Sequence, residues 1–261
     1  MSFVHLHVHS CYSFLDGLAR IEDLVRTAKA MGQPAIALTD HGYLYGILPF
    51  YRAALEEGIK PILGLEFYYH PVSRFERSLG AREQERHYHL TILAMNNTGY
   101  RNLLKLANIA AVEGFYYKPR IDDEVLAKYK DGLIVLSGCP QGYIPHLILQ
   151  DRLDEAREHI LKYKELFGDN FYLEIQNHPI FDAASDPAFA KQYAEFSPRE
   201  AKIRYTLARL SRELGVPLVA TNDVHYVNAS DFRIHDVFYA MQLHAKLDDP
   251  DRRRYPADSF Y

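Results

Sequence analysis

Val4–His41 reads VHLHVHSCYSFLDGLARIEDLVRTAKAMGQPAIALTDH. A short apolar run, Val4–Val8, leads into His7-Val8-His9, and a polar turn follows it. Ile21, Leu24, Val25 and Ala28 then recur at the three-to-four spacing of one helix face. A second apolar run, Ala35–Thr39, leads into Asp40-His41. Strand, helix, strand is the unit of a parallel sheet with helices packed outside it.

The unit repeats along the chain. Pro61–Tyr68 is a third apolar run, after a helix through Tyr51, Ala54 and Leu55. Leu90–Ala94 is the fourth, followed by a helix carrying Tyr100, Leu103, Leu104 and Ala107. Leu133–Ser137 precedes a helix with Leu153, Ala156, Ile160 and Tyr163, and Phe171–Gln176 is the sixth run. Pro217–Thr221 is the seventh, after a helix carrying Ile203, Leu207, Leu210 and Leu214. Ser197 reads as the N-cap of that helix and Pro198 as its first turn. Seven such units in 261 residues imply an α/β barrel of the TIM type, complete or partial, with an open doubly wound sheet as the alternative. No Gly-x-Gly-x-x-Gly follows the first run, so a dinucleotide fold has no motif support.

Residues 181–196 read as an irregular excursion, and a last helix runs past Ser230 through Phe232, Val237 and Met241. Residues 1–246 therefore form the domain. Residues 247–261, rich in Asp, Arg and Pro, read as the start of a linker, with Arg252–Arg254 a solvated run.

Hydrophobic residues at 48% supply a sizeable core, and a net charge of -4 argues against a strongly basic nucleic-acid binder. It leaves nucleic acid open as a substrate, because bound cations make a site locally positive. Two cysteines, Cys11 and Cys139, are too few for a disulfide framework. No run approaches the ~18 apolar residues of a membrane span, and the first ten residues lack a signal-peptide pattern. A cytoplasmic protein with no membrane partner is the expectation.

The chemistry lies at the ends of the apolar runs. They carry His7 and His9, Asp40 and His41, Glu66, His89, Cys139, and Asp223 with His225. Strand ends of a parallel barrel meet at one face. Imidazole, carboxylate and thiolate are all metal ligands. In His7-x-His9 both side chains share one face of a strand, and Asp223-x-His225 repeats the geometry. A lone histidine or cysteine is more often a core residue; two pairs at equivalent ends, joined by Asp40-His41, Glu66 and Cys139, are not explained that way. His5 shares the face of His7 and His9 and reads as ligand or neighbour. His70, His87, His146, His159, His178, His235 and His244 have no motif around them and read as structural or exposed.

These stretches resemble the PHP (polymerase and histidinol phosphatase) domain family, in the form found at the N-terminus of bacterial replicative DNA polymerase III alpha subunits. The resemblance is carried by FVHLHVHSCYSFLDG (Phe3–Gly17), ALTDHGYLYG (Ala37–Gly46), GIKPILGLEFY (Gly58–Tyr68), His89–Leu93, EGFYYKPRID (Glu113–Asp122), Leu136–Cys139, EIQNH (Glu174–His178) and ATNDVHY (Ala220–Tyr226). Residues 247–261 resemble polymerase sequence just beyond the domain, so the chain reads as a fragment of a longer polymerase.

The resemblance implies a distorted TIM-like (β/α)7 barrel, the PHP fold, and nine ligands for three divalent metal ions. His7, His9, Glu66 and Asp223 would hold one; Glu66, His89 and Cys139 a second; Asp16, His41 and His225 the third. Residue patterns alone do not single out Asp16, which sits in a turn-like Leu15-Asp16-Gly17, nor His89 over His87. Nitrogen and thiolate donors favour zinc, with manganese or iron as alternatives. Clustered metals activate a water, so no protein nucleophile is required.

Lys118 and Arg120, after a Phe-Tyr-Tyr run, are candidate phosphate contacts. Arg74, Arg77, Arg82 and Arg86 line a polar loop in which Glu76, Glu83 and Glu85 offset them. The implied function is a metal-dependent 3′–5′ exonuclease that proofreads a DNA primer end beside the polymerase. A metal-stabilised module that braces the polymerase and docks a separate proofreading subunit is the second reading. A stand-alone phosphatase for small monoesters is the third.

Overall fold

The computed structural model describes residues 3–77 and 87–261. The elements are α1 Ile21–Ala30, β1 Ala35–Leu38, α2 Ile47–Glu57, β2 Lys60–Tyr69, β3 Tyr88–Ala94, α3 Asn97–Val112, β4 Arg120–Ile121, α4 Asp123–Lys128, β5 Leu133–Leu136, α5 Tyr143–Leu149, α6 Leu153–Phe167, β6 Phe171–Ile175, α7 Pro187–Leu214, β7 Leu218–Ala220 and α8 Phe232–Gln242. Strands β1, β2, β3, β5, β6 and β7 pair in that order, and the short β4 pairs with β2.

β1 is short, apolar and buried at all four positions, because helices cover its outer face and barrel neighbours its inner one. The helices turn one face inward. In α1 that face is Ile21, Leu24, Val25 and Ala28, with Glu22 and Asp23 in the first turn and Lys29 in the last, as the helix dipole favours. The largest core cluster runs from Leu65 and Phe67 of β2 through Leu103 and Leu106 of α3 to Leu207 and Leu210 of α7.

The first apolar run is extended but makes no regular strand. It closes the barrel nonetheless. Ala37 N–H donates to His5 O at 2.8 Å and Thr39 N–H to Val8 O at 2.8 Å on the β1 side; Val224 N–H donates to His7 O at 3.1 Å and His9 N–H to Val224 O at 2.7 Å on the β7 side. The fold is therefore an α/β barrel of the distorted TIM-like kind, curled and closed through residues 3–9.

Three expectations are corrected. The sheet is not wholly parallel: β3 runs antiparallel to both β2 and β5. An antiparallel pair does not need the long helical crossover that a parallel pair requires. The last long helix begins at Pro187 rather than after Ser197. Asp186 caps it through its side chain on Ala188 N–H at 2.8 Å, Pro187 occupies the first turn, and Pro198 lies inside. Most of the supposed excursion 181–196 is thus helical, because Asp186-Pro187 offers the same cap-and-proline pair earlier in the chain.

Residues 247–261 pack on the barrel instead of trailing away: Ala257 and Phe260 join Phe189, Tyr226 and Phe232 in one cluster. Arg252 is not solvated; it is buried and forms a two-pronged ion pair with Asp236. Arg82, Arg86, Glu83 and Glu85 lie outside the described residues, while Arg74 is buried against Asp122, Glu113 and Glu124.

Two predictions follow from this packing. Pro198→Ala restores a donor for the carbonyl of Ala194 inside a 28-residue helix and should raise stability by about 1–3 kcal/mol in urea unfolding. His159 is half-buried among Tyr69, Tyr143 and Tyr163, and desolvation there lowers its pKa to about 4. The unfolded chain then binds more protons, so stability present above pH 6.5 should fall by roughly 3 kcal/mol as pH drops from 6.5 to 4. A flatter pH dependence in His159→Gln checks the assignment.

Candidate metal centre

The polar residues at the strand ends converge at one mouth of the barrel. On the closing segment, alternation sends Val8 outward into the core and His7 and His9 inward, all three fully buried. His41 follows β1, and a bridge ties it to Glu66 of β2. The reversed direction of β3 puts its beginning, not its end, at this mouth, which is why His89 opens its strand and still joins the group.

Cys139 reaches His89 through Gly138, whose φ of +86° is open to glycine and whose added Cβ would lie 2.4 Å from His89 O. Gly17 has an equally close neighbour, Ser10 O at 2.1 Å from an added Cβ, and that contact folds the loop back so that Asp16 faces the site. Asp223 holds a positive φ of +50°, as does Leu15 beside Asp16 at +62°, a local strain that the surrounding contacts maintain.

Three contact groups result. His7 Nε2 lies 3.1 Å from His9 Nε2, 3.1 Å from Glu66 Oε1 and 3.4 Å from Asp223 Oδ1; His9 Nε2 lies 3.4 Å from Glu66 Oε2 and 3.3 Å from Asp223 Oδ1. His89 Nδ1 lies 3.0 Å from Glu66 Oε1 and 3.4 Å from Cys139 Sγ, which is 3.6 Å from Glu66 Oε1. Asp16 Oδ2 lies 2.8 Å from His41 Nε2 and 3.5 Å from His225 Nε2, and His41 Nδ1 lies 2.7 Å from Glu66 Oε2. All nine residues expected by resemblance stand together. His5 does not join them; its ring packs edge-on against Phe3.

Carboxylates and imidazoles shift one another in this pocket: against burial, Asp223, Glu174 and Glu66 raise His7 well above its usual value, and Tyr68 and Glu66 do the same for His41. Burial alone would raise Glu66, yet His89, His7 and His41 hold it well below the usual carboxylate range. Asp16 is depressed likewise, by His225 and His41 against burial. Burial together with His41 and His225 lowers His9 to about 3, so it is neutral and keeps a lone pair. Burial, Glu66 and Asp223 push the Cys139 thiol far up, and only a cation would favour its thiolate. His41 Nδ1 and Glu66 Oε2 are buried and meet at 2.7 Å, and Asp223 Oδ1 lies 3.3–3.6 Å from nitrogens of His9, His7 and His225. Edges of 3.1–3.4 Å among His7, His9, Glu66 and Asp223 are those of donors arranged about a common centre at about 2.0–2.1 Å. The donor set fits divalent cations.

Outer contacts orient the inner donors. His7 Nδ1 pairs with Glu174 Oε1 at 2.7 Å, which also accepts from Thr221 Oγ1 and Gln176 Nε2. His9 Nδ1 contacts Ser13 Oγ at 2.9 Å, and Ser13 donates to Asp40 at 2.7 Å. His225 Nδ1 contacts Asp223 O at 2.8 Å. Each pairing leaves Nε2 turned to the centre, the tautomer that ligation needs.

Glu174, Ser13, His235 and Tyr255 were not picked out by sequence reasoning. Glu174 had a signal, an acid inside the apolar run Phe171–Gln176; Ser13 and Tyr255 had none. Asp40 sits at a strand end but is occupied by Ser10 and Ser13. Arg120 is corrected as a phosphate contact: it is 0% exposed and donates to Gly114 O and Arg74 O, bracing its loop. Lys118 is exposed, with Nζ 5.1 Å from the ring of Tyr68, which flanks His41 and His89.

Glu174 Oε1 serves three buried donors, His7 Nδ1, Thr221 Oγ1 and Gln176 Nε2, and Glu174→Ala removes that shared acceptor, leaving Gln176 its bond to Thr221 Oγ1. The substitution should cost about 2–4 kcal/mol in chemical denaturation of the metal-free chain, more than Glu174→Gln.

A family model for the PHP domain matches residues 5–178. The DNA polymerase III subunit alpha of Treponema pallidum is 47% identical over 100% of the chain and 21% of its own length. That of Thermus aquaticus is 44% identical, over 100% of the chain and 20% of its length. The chain thus spans about a fifth of these relatives. Among solved structures, an amidohydrolase from Chromobacterium violaceum superposes with a TM-score of 0.50 at 13% identity, covering 85% of this chain and 87% of that one, a likeness of fold. Among the described residues no helix is long and apolar enough to cross a membrane. With the match over residues 5–178, and likeness along all of its own length to about one fifth of polymerase III alpha subunits, the chain belongs to the PHP domain family.

Proposed function

We propose that this PHP domain is a metal-dependent phosphodiesterase that trims DNA 3′ ends, a 3′–5′ exonuclease working beside the polymerase in the cytoplasm. One observation carries the reading: buried Glu66 sets its two oxygens 2.7–3.4 Å from nitrogens of His7, His9, His41 and His89, and the donor atoms of Cys139, Asp16, Asp223 and His225 gather at the same mouth. Three divalent ions would account for them: one on His7, His9, Glu66 and Asp223, one on Glu66, His89 and Cys139, one on Asp16, His41 and His225. Zinc suits the nitrogen and sulfur donors best, with manganese or iron as alternatives.

When bound, such ions make a water nucleophilic near neutral pH and neutralise charge on the phosphate oxygens. The chain's own part is positioning. Glu174 and Ser13 hold His7 and His9 in one tautomer, and Glu66 offers both carboxylate oxygens to the four histidines around it. His41 and Asp16 stand at the outer edge of the group, where a proton can pass to the departing oxygen. Lys118, over Tyr68, supplies a cation for a substrate phosphate.

The DNA primer end, the rest of a polymerase chain and a separate proofreading subunit are the partners this reading involves. The test is incubation with manganese and a mismatched primer, beside a chromogenic phosphate monoester, with metal analysis of the same sample. Trimming from the 3′ end that falls at least 100-fold in His9→Ala is the expected result. Full metal occupancy without turnover would make the domain a brace for the polymerase, and monoester cleavage alone would make it a phosphatase. Lys118→Ala should raise KM for DNA several-fold with kcat little changed.

A further inference from the structure

The segment 247–261 is anchored on the barrel at several points. Arg252 pairs with Asp236, and Asp258 accepts from the backbone of Phe181 at 2.7 Å and Ala183 at 2.8 Å. Asn222 Nδ2 donates to Ser259 O at 3.2 Å. These anchors place Tyr255 in a buried aromatic nest, with ring centroids 4.4 Å from His235, 4.9 Å from Phe260, and 5.0 Å from His225 and Tyr239. Its hydroxyl donates to Asp16 Oδ1 at 2.7 Å.

Two further contacts come from the same end of the chain: His235 Nε2 donates to Asp16 O at 2.7 Å, and His225 N–H donates to Phe260 O at 2.8 Å. Asp16 is the member of the centre most in need of a fixed partner. It hangs from a loop whose preceding residue, Leu15, holds a positive φ of +62°, and a carboxylate there has two oxygens to offer. With Oδ1 bound to the phenol, Oδ2 is the oxygen left for His41 and His225.

We propose that Tyr255 is a positioning residue for the cation held by Asp16, His41 and His225, so that residues 247–261 complete this group of the centre. The proposal rests on the metal-dependent reading above but concerns binding, not turnover. An outer partner of a ligand carboxylate, when removed, weakens metal binding about 10–100-fold.

The experiment uses the full chain, stripped of metal and titrated with manganese and with zinc by calorimetry, with bound metal counted after dialysis. Tyr255→Phe keeps the ring and removes the one hydrogen bond. One ion should bind about 10–100-fold more weakly while the others keep wild-type affinity. Tyr239→Phe, which trims a neighbouring phenol of the same nest, should leave every ion at wild-type affinity. Thermal unfolding of metal-free Tyr255→Phe should shift by no more than a few degrees.

Wild-type affinities in Tyr255→Phe overturn the proposal. So do equal losses at all ions or a collapse of the metal-free fold, since either makes Tyr255 a general structural residue. A wild-type chain that binds its ions but leaves DNA intact defeats the exonuclease reading and leaves this one standing.

Discussion

Everything at the mouth of this barrel turns on one buried carboxylate. Glu66 is 1% exposed, and its two oxygens lie 2.7–3.4 Å from nitrogens of His7, His9, His41 and His89. An isolated carboxylate at that depth would cost several kcal/mol in desolvation and would take up a proton instead. The histidines prevent that, and each is held by an element that only the closed barrel brings near: residues 3–9, the end of β1 and the start of β3. The charge at Glu66 and the closure of the barrel are therefore one constraint. Loosening the closing segment frees His7 and His9, and an unpaired Glu66 would in turn oppose closure.

The antiparallel β3 has a functional consequence. In an all-parallel barrel His89 would sit at the far mouth, because it begins its strand. Reversal brings it to the end where the other strands finish, opposite Cys139, and the antiparallel register sets Glu66 against Thr91. The reversed strand is thus what brings a nitrogen and a sulfur donor to Glu66 Oε1, at 3.0 and 3.6 Å. The same mouth is where the chain departs from relaxed backbone geometry, at Leu15 and Asp223. Strain of this kind persists only where surrounding contacts over-determine it, and here they do: Gly17 is pressed against Ser10, while Asp16 is bound by Tyr255, His235 and His41.

A second layer does the aiming. Imidazole has two nitrogens, and which one faces inward depends on what the other one meets. Glu174, Ser13 with Asp40, and the Asp223 carbonyl each take a Nδ1, so that His7, His9 and His225 present the same atom. Their placement follows from the fold: Glu174 comes from β6, on the far side of β7 from the closing segment, yet its carboxylate reaches His7 Nδ1 at 2.7 Å.

The sequence by itself determined the architecture and most of the donors, because both are local. Period-two and helical spacing mark strands and helices, and His-x-His or Asp-x-His at the end of an apolar run puts two donors on one face whatever surrounds them. Asp16 was legible only through family resemblance, since a turn motif carries no sign of what it will face. Strand direction, the outer layer and the fate of the last fifteen residues were decided by tertiary structure. Whether β3 runs up or down depends on the connection the chain makes in space. Glu174, Ser13, His235 and Tyr255 acquire roles only from partners many residues distant. Arg252 and Arg120 read as solvated or phosphate-facing cations because charge predicts exposure on average; each is buried because the fold supplies acceptors, Asp236 for one and backbone carbonyls for the other.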